Sequence, residues 1–313
     1  MKDSYPYKLS ICIPTYNRVD TLRKSLISIV NNRSFGEDIE VVVSDNNSSD
    51  NTREVVLEYA SKYPNIHYFK NESNLGGDRN ILLSLQRGKG CFLKIINDYS
   101  IFSEDGIDYL LRVINEFQCH PVAIFFNSKS KVGFSVKEYN SFDSFVEDAG
   151  WTMSWIGNHG FWKSDLDSWK DLDKYIDLKF MQVDWLIRSF LKYQSGIICT
   201  ANLTYRLSTL SKQGDYNFFK IHTDNYFSLF RKCVDDHCLS EKSYRVLQRK
   251  VLRGLLLWVY TLCFERGRQY SYSTDNGIKH LFSIYWKFPW FYYEIALSVP
   301  IYFAKKIRDK FQK

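Results

Sequence analysis

Residues 9 to 30 read LSICIPTYNRVDTLRKSLISIV, an apolar run that leads through a polar turn into a segment with helical spacing. This pattern predicts a strand over Leu9–Ile13, a turn at residues 14–17 and a helix over Thr21–Val30. A strand, a turn and a helix in this order form the basic unit of an α/β fold, so the N-terminal part of the chain is predicted to be α/β.

The same order recurs along the first hundred residues. Further strands are predicted at residues 39–43, 66–69 and 91–96, and helices at residues 52–62 and from the 74–80 loop to Gln86. Strands that alternate with helices predict a parallel sheet with right-handed crossovers. Since ligands of such sheets bind beyond the carboxyl ends of the strands, we expect the polar loops to converge on one crevice.

Composition excludes a disordered chain, because 45% of the 313 residues are hydrophobic and 17% are aromatic. The net charge of +7 is uneven. Residues 241–313 hold 14 Lys and Arg against 5 Asp and Glu, so this segment carries +9 and the rest of the chain −2. A basic region beside a nearly neutral body predicts an anionic partner, either lipid headgroups or nucleic acid.

The seven cysteines form no CxxC pair and have no spacing suited to zinc. They are interpreted as reduced thiols of a cytoplasmic protein. No apolar secretion signal is evident in the first residues, which agrees with that location.

The loop that begins at Asp45 is the most informative stretch. A carboxylate directly after a strand can accept a hydrogen bond from a nucleobase N–H or a ribose hydroxyl. The neighbouring Ser48, Ser49 and Asp50 can cap the next helix. A helix cap without any ligand is therefore the alternative interpretation.

Four segments taken together, residues 14–17, 45–52, 74–80 and 97–98, resemble family 2 glycosyltransferases in their order and spacing. The resemblance extends to the abequosyltransferase-like branch, which acts in surface-polysaccharide synthesis. It implies a GT-A, Rossmann-like fold: a mostly parallel sheet flanked by helices, with a helical C-terminal extension. The implied division is a GT-A domain over residues 1–220, with a donor half at 1–115 and an acceptor half at 116–220, and a helical, basic and aromatic region at 221–313. A dinucleotide-binding enzyme is the rival, but no GxGxxG follows the first strand.

The resemblance implies a donor-binding role for each segment. Asp45 with Asn46 would contact base and ribose, Gly76 and Gly77 would let the backbone approach closely, and Arg79 would meet the diphosphate. Both Asp45 and Arg79 are expected on solvent-facing loops, and for Arg79 an exposed salt bridge is the alternative. The full implied set is Pro14, Thr15, Tyr16, Asn17, Asp45, Asn46, Gly76, Gly77, Arg79, Asn97 and Asp98.

The metal motif departs from the family pattern. Members usually carry Asp-x-Asp, whereas this chain has Asp98-Tyr99-Ser100. A hydroxyl without negative charge is a poor ligand for a hard cation, so Mn²⁺ or Mg²⁺ is expected to be held weakly, by Asp98 and the diphosphate. The chain is then either an enzyme with weak metal dependence or an inactive protein that binds nucleotide sugar. Lys94 is interpreted as a snorkelling residue without a role.

A catalytic base is implied at the start of a helix matched here by residues 181–185. The usual Glu-Asp pair is absent, so Asp184 is the candidate, and an i, i+4 ion pair with Arg188 is the alternative. His159 is interpreted as structural, with a role in orienting donor or acceptor as its alternative. Inversion or retention, the sugar and the oligomeric state stay open.

The C-terminal apolar block, Phe288 to Ala304, is interrupted by Glu294 and Pro300 and is too short to span a bilayer comfortably. Five Lys and Arg follow in residues 305–313. The block predicts an interfacial helix on the cytoplasmic face of the cell membrane, near a lipid-linked glycan acceptor. The alternative is a helical hairpin packed on the catalytic domain or on a second subunit. Binding to nucleic acid is not expected, because no nucleic-acid motif is present.

Overall fold

The computed structural model describes residues 5–128, 133–207, 216–264 and 273–311. The chain divides into two compact units, one of residues 1–145 and 152–211 and the other of residues 146–151 and 212–313. The first unit carries the sheets and the second is helical. The division at residue 220 that the resemblance implies stays a prediction.

A central sheet of five strands, in the order β3-β2-β1-β4-β8, organises the first unit. The first four strands are parallel and β8 runs antiparallel to β4. A second sheet has the order β6-β9-β7, and β5 pairs with β10. The strands are β1 (Tyr7–Thr15), β2 (Ile39–Asp45), β3 (Ile66–Lys70), β4 (Gly90–Ile95), β5 (Ser100–Phe102), β6 (Ala123–Ser128), β7 (Ser135–Tyr139), β8 (Gly160–Trp162), β9 (Gly196–Ala201) and β10 (Thr204–Arg206).

Helices alternate with these strands. They are α1 (Val19–Val30), α2 (Thr52–Lys62), α3 (Gly77–Arg87), α4 (Gly106–Phe117), α5 (Phe142–Ala149), α6 (Lys163–Ser168) and α7 (Met181–Tyr193). The α/β class and the mostly parallel sheet that the sequence predicts are confirmed.

The core forms where β1 and β2 run side by side. Ile11 and Val41 are fully buried, and α1 packs its apolar side, with Leu22 and Leu26, into the same cluster. Parallel strands are covered on both faces, which explains why they appear in the sequence as nearly continuous apolar runs.

Register brings the strand ends together. Thr15 pairs with Asp45, so β1 and β2 end at the same level, and the Ile96 N–H donates to the Cys12 carbonyl where β4 ends. The polar loops after β1, β2 and β4 therefore leave the sheet at one edge, as the alternating pattern predicts.

The second unit consists of helices around α10. Its helices are α8 (Phe218–Lys220), α9 (Tyr226–Asp235), α10 (Glu241–Phe264), α11 (Gly277–Tyr285) and α12 (Pro289–Phe311), with a π-helical stretch at Ile221–Asn225.

Within this unit α12 packs against α10. Glu294, only 1% exposed, accepts hydrogen bonds from Arg249 and Arg253, the latter from Nε at 2.5 Å and from Nη2 at 2.8 Å. The Tyr260 hydroxyl lies 2.9 Å from the Ser298 hydroxyl. The C-terminal block thus packs alongside α10, and the two helices run in the same direction, with α11 between them in the chain.

The other side of α12 faces outward and is apolar. Buried residues recur every three to four positions, whereas Tyr293, Phe303 and Ile307 are about half exposed or more. Within the described ranges, no helix combines the length and the apolar character needed to cross a bilayer. The side chains of the basic residues from Lys305 to Lys313 lie outside the described part of the structure.

Candidate functional site

Asp98 lies just beyond β4 and is 1% exposed. Its Oδ2 accepts from the Thr15 hydroxyl at 2.9 Å, its Oδ1 accepts from Arg18 Nη1 at 3.1 Å, and the Tyr16 N–H also donates to it. Burial raises the pKa of Asp98, against the lowering effect of Arg18 and of these hydrogen bonds. This carboxylate therefore fastens the end of β1 to the end of β4.

Asp45 is equally buried and has internal partners on both oxygens. Oδ1 accepts from the Ser48 N–H at 2.8 Å, and Oδ2 accepts from the Tyr68 hydroxyl at 2.6 Å. Burial and the nearby Asp45 raise the pKa of Tyr68. The expectation that Asp45 is solvent-facing is wrong, because these two donors hold the carboxylate inside the loop.

The loops after β1 and β2 bind each other. The Asn17 N–H donates to the Ser48 hydroxyl at 2.9 Å, and Asn17 Oδ1 accepts from the Ser49 N–H at 2.8 Å. Asp50 accepts from the Val19 N–H through Oδ2 and from the Thr52 hydroxyl through Oδ1. Asp50 thus caps the first turns of both α1 and α2, as expected for a carboxylate at a helix N-terminus.

Asn46 shapes the loop between β3 and α3. Its amide donates to Asn74 Oδ1 at 2.7 Å, and its carbonyl oxygen accepts from the Leu75 N–H at 3.0 Å. Gly76 then takes φ +83°, which favours glycine, and a Cβ at Gly76 or Gly77 would meet open space. This stretch of backbone is accessible from outside.

The helix that follows has an uncapped N-terminus. The N-cap Gly76 offers no side-chain acceptor to the first turn of α3. Free N–H groups at a helix N-terminus attract anions. Arg79 lies in that turn, and its Nη1 forms an ion pair with Asp173 Oδ2 at 2.9 Å, with both side chains nearly half exposed. This exposed salt bridge is the alternative considered for Arg79, and its role towards diphosphate stays a prediction.

The predicted donor set gathers at one edge but differs in accessibility. Pro14 and Asn97 are half-buried, and Asn97 lies beside Gly157. The buried members are Thr15, Asp45, Asn46 and Asp98, and the exposed members are Tyr16, Asn17, Gly76, Gly77 and Arg79.

Two arginines that sequence reasoning missed flank Tyr99. The Arg18 guanidinium lies 5.6 Å and the Arg206 guanidinium 4.8 Å from the Tyr99 ring centroid. In the antiparallel β5–β10 pair, Arg206 is the register partner of Ser100. Arg18 directly follows the conspicuous polar turn, which was an available signal, whereas nothing local links Arg206 to a position a hundred residues earlier.

Residues 10–163 match the family model for glycosyl transferase family 2. This segment is a family 2 glycosyltransferase domain. The matched length is the part of the chain that carries the central sheet and the loops at its edge.

Two named relatives of this chain are glycosyltransferases. The chain is 39% identical to abequosyltransferase RfbV of Salmonella typhimurium over 33% of its length and 31% of that protein. It is 34% identical to GalNAc(5)-diNAcBac-PP-undecaprenol beta-1,3-glucosyltransferase of Campylobacter jejuni over 36% of each chain. The matches thus span about a third of the length of these relatives.

A solved structure shares the fold. The mannosyltransferase PcManGT from Pyrobaculum calidifontis, in complex with GDP-Man and Mn²⁺, superposes with a TM-score of 0.51 at 12% identity, covering 99% of this chain and 89% of that chain. The GT-A type of fold is thereby confirmed.

The family 2 domain offers a poor set of metal ligands. Among the described residues, no group of three or more His, Cys, Asp or Glu side chains is arranged to hold a metal ion. Both oxygens of Asp98 already accept hydrogen bonds from Thr15 and Arg18, and Ser100 contributes no charge. Hard divalent cations prefer several oxygen ligands with carboxylates among them, so these residues do not fit a resident Mn²⁺ or Mg²⁺.

Asp184 lies beyond the family 2 domain, in the first turn of α7. Its Oδ2 forms an ion pair with Arg188 Nε at 2.7 Å. Burial raises the pKa of Asp184, while Arg188 lowers it. The i, i+4 pair considered from the sequence is therefore formed, and a role as catalytic base stays a prediction.

His159 and Lys94 are buried in the family 2 domain. His159 Nε2 lies 2.7 Å from the Met153 carbonyl, and burial lowers the pKa of His159 to about 3, so the imidazole is neutral. Lys94 Nζ donates to the carbonyls of Ile95 and His159 at 3.0 and 3.1 Å, and also to that of Gly157. The interpretation of Lys94 as a snorkelling residue is wrong, because its ammonium is buried and bound to backbone carbonyls.

Proposed function

We propose that the protein is a glycosyltransferase that moves a sugar from a nucleoside-diphosphate sugar to a hydroxyl of a glycan in surface-polysaccharide biosynthesis. The observation that carries the proposal is the convergence of three polar loops on one edge of the sheet of a family 2 domain. The interlocked contacts of Asp98, Asp45 and Asn46 make this edge a preorganised surface.

The diphosphate of the donor would bind at the start of α3. The uncapped N-terminus, the open space at Gly76 and Gly77 and the guanidinium of Arg79 offer N–H donors and positive charge together. Arg79 would exchange Asp173 for the diphosphate. Pro14, Tyr16 and Asn17 would line the nucleotide, and Asp45, Asn46 and Asn97 would shape the site around base and ribose.

In the transfer, the bond between the sugar C1 and the diphosphate oxygen breaks, and its electron pair leaves with the nucleoside diphosphate. The acceptor hydroxyl oxygen forms a new bond to C1 and gives up its proton. Asp184 is the proposed proton acceptor, because burial raises its pKa and a carboxylate of raised pKa is a better base.

The acceptor is proposed to be lipid-linked and the protein to lie peripherally on the cytoplasmic face of the cell membrane. The outward side of α12 supports this, because Tyr293, Phe303 and Ile307 are exposed on a helix whose other side is already packed. Aromatic and aliphatic side chains with adjacent basic residues favour the interface of an anionic membrane. The name of the C. jejuni relative includes an undecaprenol-linked glycan, which agrees with such an acceptor.

An inactive protein that binds nucleotide sugar is the second candidate, favoured by the incomplete Asp98-Tyr99-Ser100 motif. Calorimetry with UDP, GDP, CDP, ADP, dTDP and NAD would test both candidates against a dinucleotide-binding enzyme. Binding of NAD without binding of any nucleoside diphosphate would rule out both.

A donor and acceptor screen with an extract of the source organism, read by mass spectrometry, would then separate the two candidates. Transfer of a sugar to a glycan supports the enzyme, and nucleotide-sugar binding without transfer supports the inactive protein.

A further inference from the structure

We propose that Arg206, beside an Asp98 carboxylate already neutralised by Arg18, supplies the positive charge that a divalent cation supplies to the leaving diphosphate in metal-dependent glycosyltransferases. This inference rests on the proposed function and specifies how its leaving group is neutralised. It follows from the disagreement between the residues present and a metal site.

The first observation is the local charge. A complete motif with two or three acids presents negative charge that attracts a cation. Here Asp98 is the remaining acid of the motif, and Arg18 Nη1 lies 3.1 Å from its Oδ1, so an ion pair already compensates this carboxylate. Arg206 then adds a positive charge 4.8 Å from the centroid of the adjacent Tyr99 ring. The balance at the motif is reversed from negative to positive.

The second observation is the position of Arg206. Its register partner is Ser100, the residue that stands where the family motif has its second acid. Ser100 is buried and Arg206 is exposed, and the Arg206 guanidinium lies over the ring of Tyr99, the residue next to the missing ligand in the chain. Among the described residues, Arg206 contacts no carboxylate. A guanidinium presents several N–H donors that match phosphate oxygens in pairs.

The negative charge on the leaving diphosphate can be compensated without a metal. When the bond from C1 to the diphosphate oxygen breaks, the electron pair stays on the diphosphate, and its added negative charge would lie against Arg206. Arg18 acts as a positioning residue, because it holds Asp98 neutralised and fixed. Preorganised cationic donors at a developing charge lower the barrier in the manner of an arginine clamp.

The experiment is calorimetry in EDTA with UDP, GDP, CDP, ADP and dTDP and the corresponding monophosphates. The bound diphosphate is then measured again with Arg206→Gln, Arg206→Lys and the control Arg112→Gln, an exposed arginine of α4 whose partner is Asp108. We expect diphosphate binding in EDTA, a loss of about tenfold or more in Arg206→Gln, partial recovery in Arg206→Lys and no change in Arg112→Gln. The monophosphate should lose much less, which a merely structural role would not produce.

Two results would overturn the inference while leaving the proposed function intact. One is diphosphate binding that requires Mn²⁺, and the other is an Arg206→Gln variant with unchanged diphosphate affinity. If no nucleoside diphosphate binds with or without Mn²⁺, the proposed function fails together with the inference.

Discussion

The Thr15 hydroxyl donates to Asp98 Oδ2 at 2.9 Å, which joins the last residue of β1 to the loop after β4. Both residues are almost fully buried, so no water replaces this donor. Replacement by Val should therefore lower the free energy of unfolding by about 1–3 kcal/mol, the cost of removing one of the donors to this buried carboxylate. Urea unfolding measures the difference. Thr15→Ser keeps the hydroxyl and is the control, and equal stability of Thr15→Val and the unmodified protein would contradict the role given to this bond.

Arg79 is predicted to bind the diphosphate after releasing Asp173. Arg79→Ala should weaken nucleoside-diphosphate affinity by about tenfold or more with little change in melting temperature, because the side chain is exposed. The matched control is Asp173→Asn, which frees the guanidinium and should leave affinity equal or higher. If both variants weaken binding alike, the ion pair itself, and not the arginine, shapes the site.

Ser100→Asp should increase the response to metal. The new carboxylate would restore the second acid of the motif and would lie opposite Arg206, whose charge it compensates. Calorimetry of the bound diphosphate with and without Mn²⁺ should show a larger gain in this variant than in Ser100→Asn, which adds a side chain of similar size without charge. A strict Mn²⁺ requirement in the unmodified protein would refute this prediction.

Lys94 should make stability depend on pH. Burial lowers the pKa of Lys94 to about 7 from 10.5, so between these values the unfolded chain binds the additional proton. The contribution of Lys94 to the free energy of unfolding should then rise with pH across this window, by at most about 1.4 kcal/mol per pH unit. Below pH 7 both states are protonated, and the cost of burying the ammonium is present in full.

Urea unfolding between pH 6 and 10 in the unmodified protein and in Lys94→Met isolates this effect. The difference between their slopes against pH belongs to Lys94, since the other titrating groups are shared. Parallel slopes would show that the three carbonyls keep the ammonium charged throughout.

The outward side of α12 should bind anionic vesicles. Phe303→Glu and Tyr293→Glu each place a negative charge on an exposed apolar position, so both should reduce sedimentation with phosphatidylglycerol vesicles at low salt without loss of melting temperature. Leu57→Glu, on the exposed side of α2, is the matched control. Point variants are preferable to truncation after Gly277, because truncation would strip α12 from α10. If the unmodified protein does not bind anionic vesicles, the alternative from the sequence, a C-terminal region packed on protein instead of lipid, is favoured.

Local patterning was sufficient to predict the parallel strands and the loops at their ends. The strand predicted at Leu9–Ile13 extends as β1 over Tyr7–Thr15, because its pairing with β4 begins at Tyr7 and its pairing with β2 continues to Thr15. In contrast, β8 joins the sheet beside β4 from about 65 residues away, and no periodicity in the sequence encodes that choice of partner.

The chemistry of the site was less predictable for the same reason. Lys94 was misinterpreted because its acceptors include carbonyls near residues 157–159, which are distant along the chain. The position of Arg206 beside the motif follows from its pairing with Ser100, and the ion pair of Arg79 follows from the nearby Asp173. Each of these contacts depends on tertiary structure, whereas motif spacing reports only the residues within one loop.

Glu294 interrupts the apolar block in the sequence, yet in the folded helix it lies between two arginines of α10. A carboxylate shared by Arg249 and Arg253 can be satisfied at only one rotation of α12 about its own axis and at one sliding position along α10. The ion pairs therefore fix the rotation of α12 about its own axis. With that rotation fixed, Tyr293 and Phe303 lie on the exposed side of α12, so no rearrangement of the helical unit is needed to expose them.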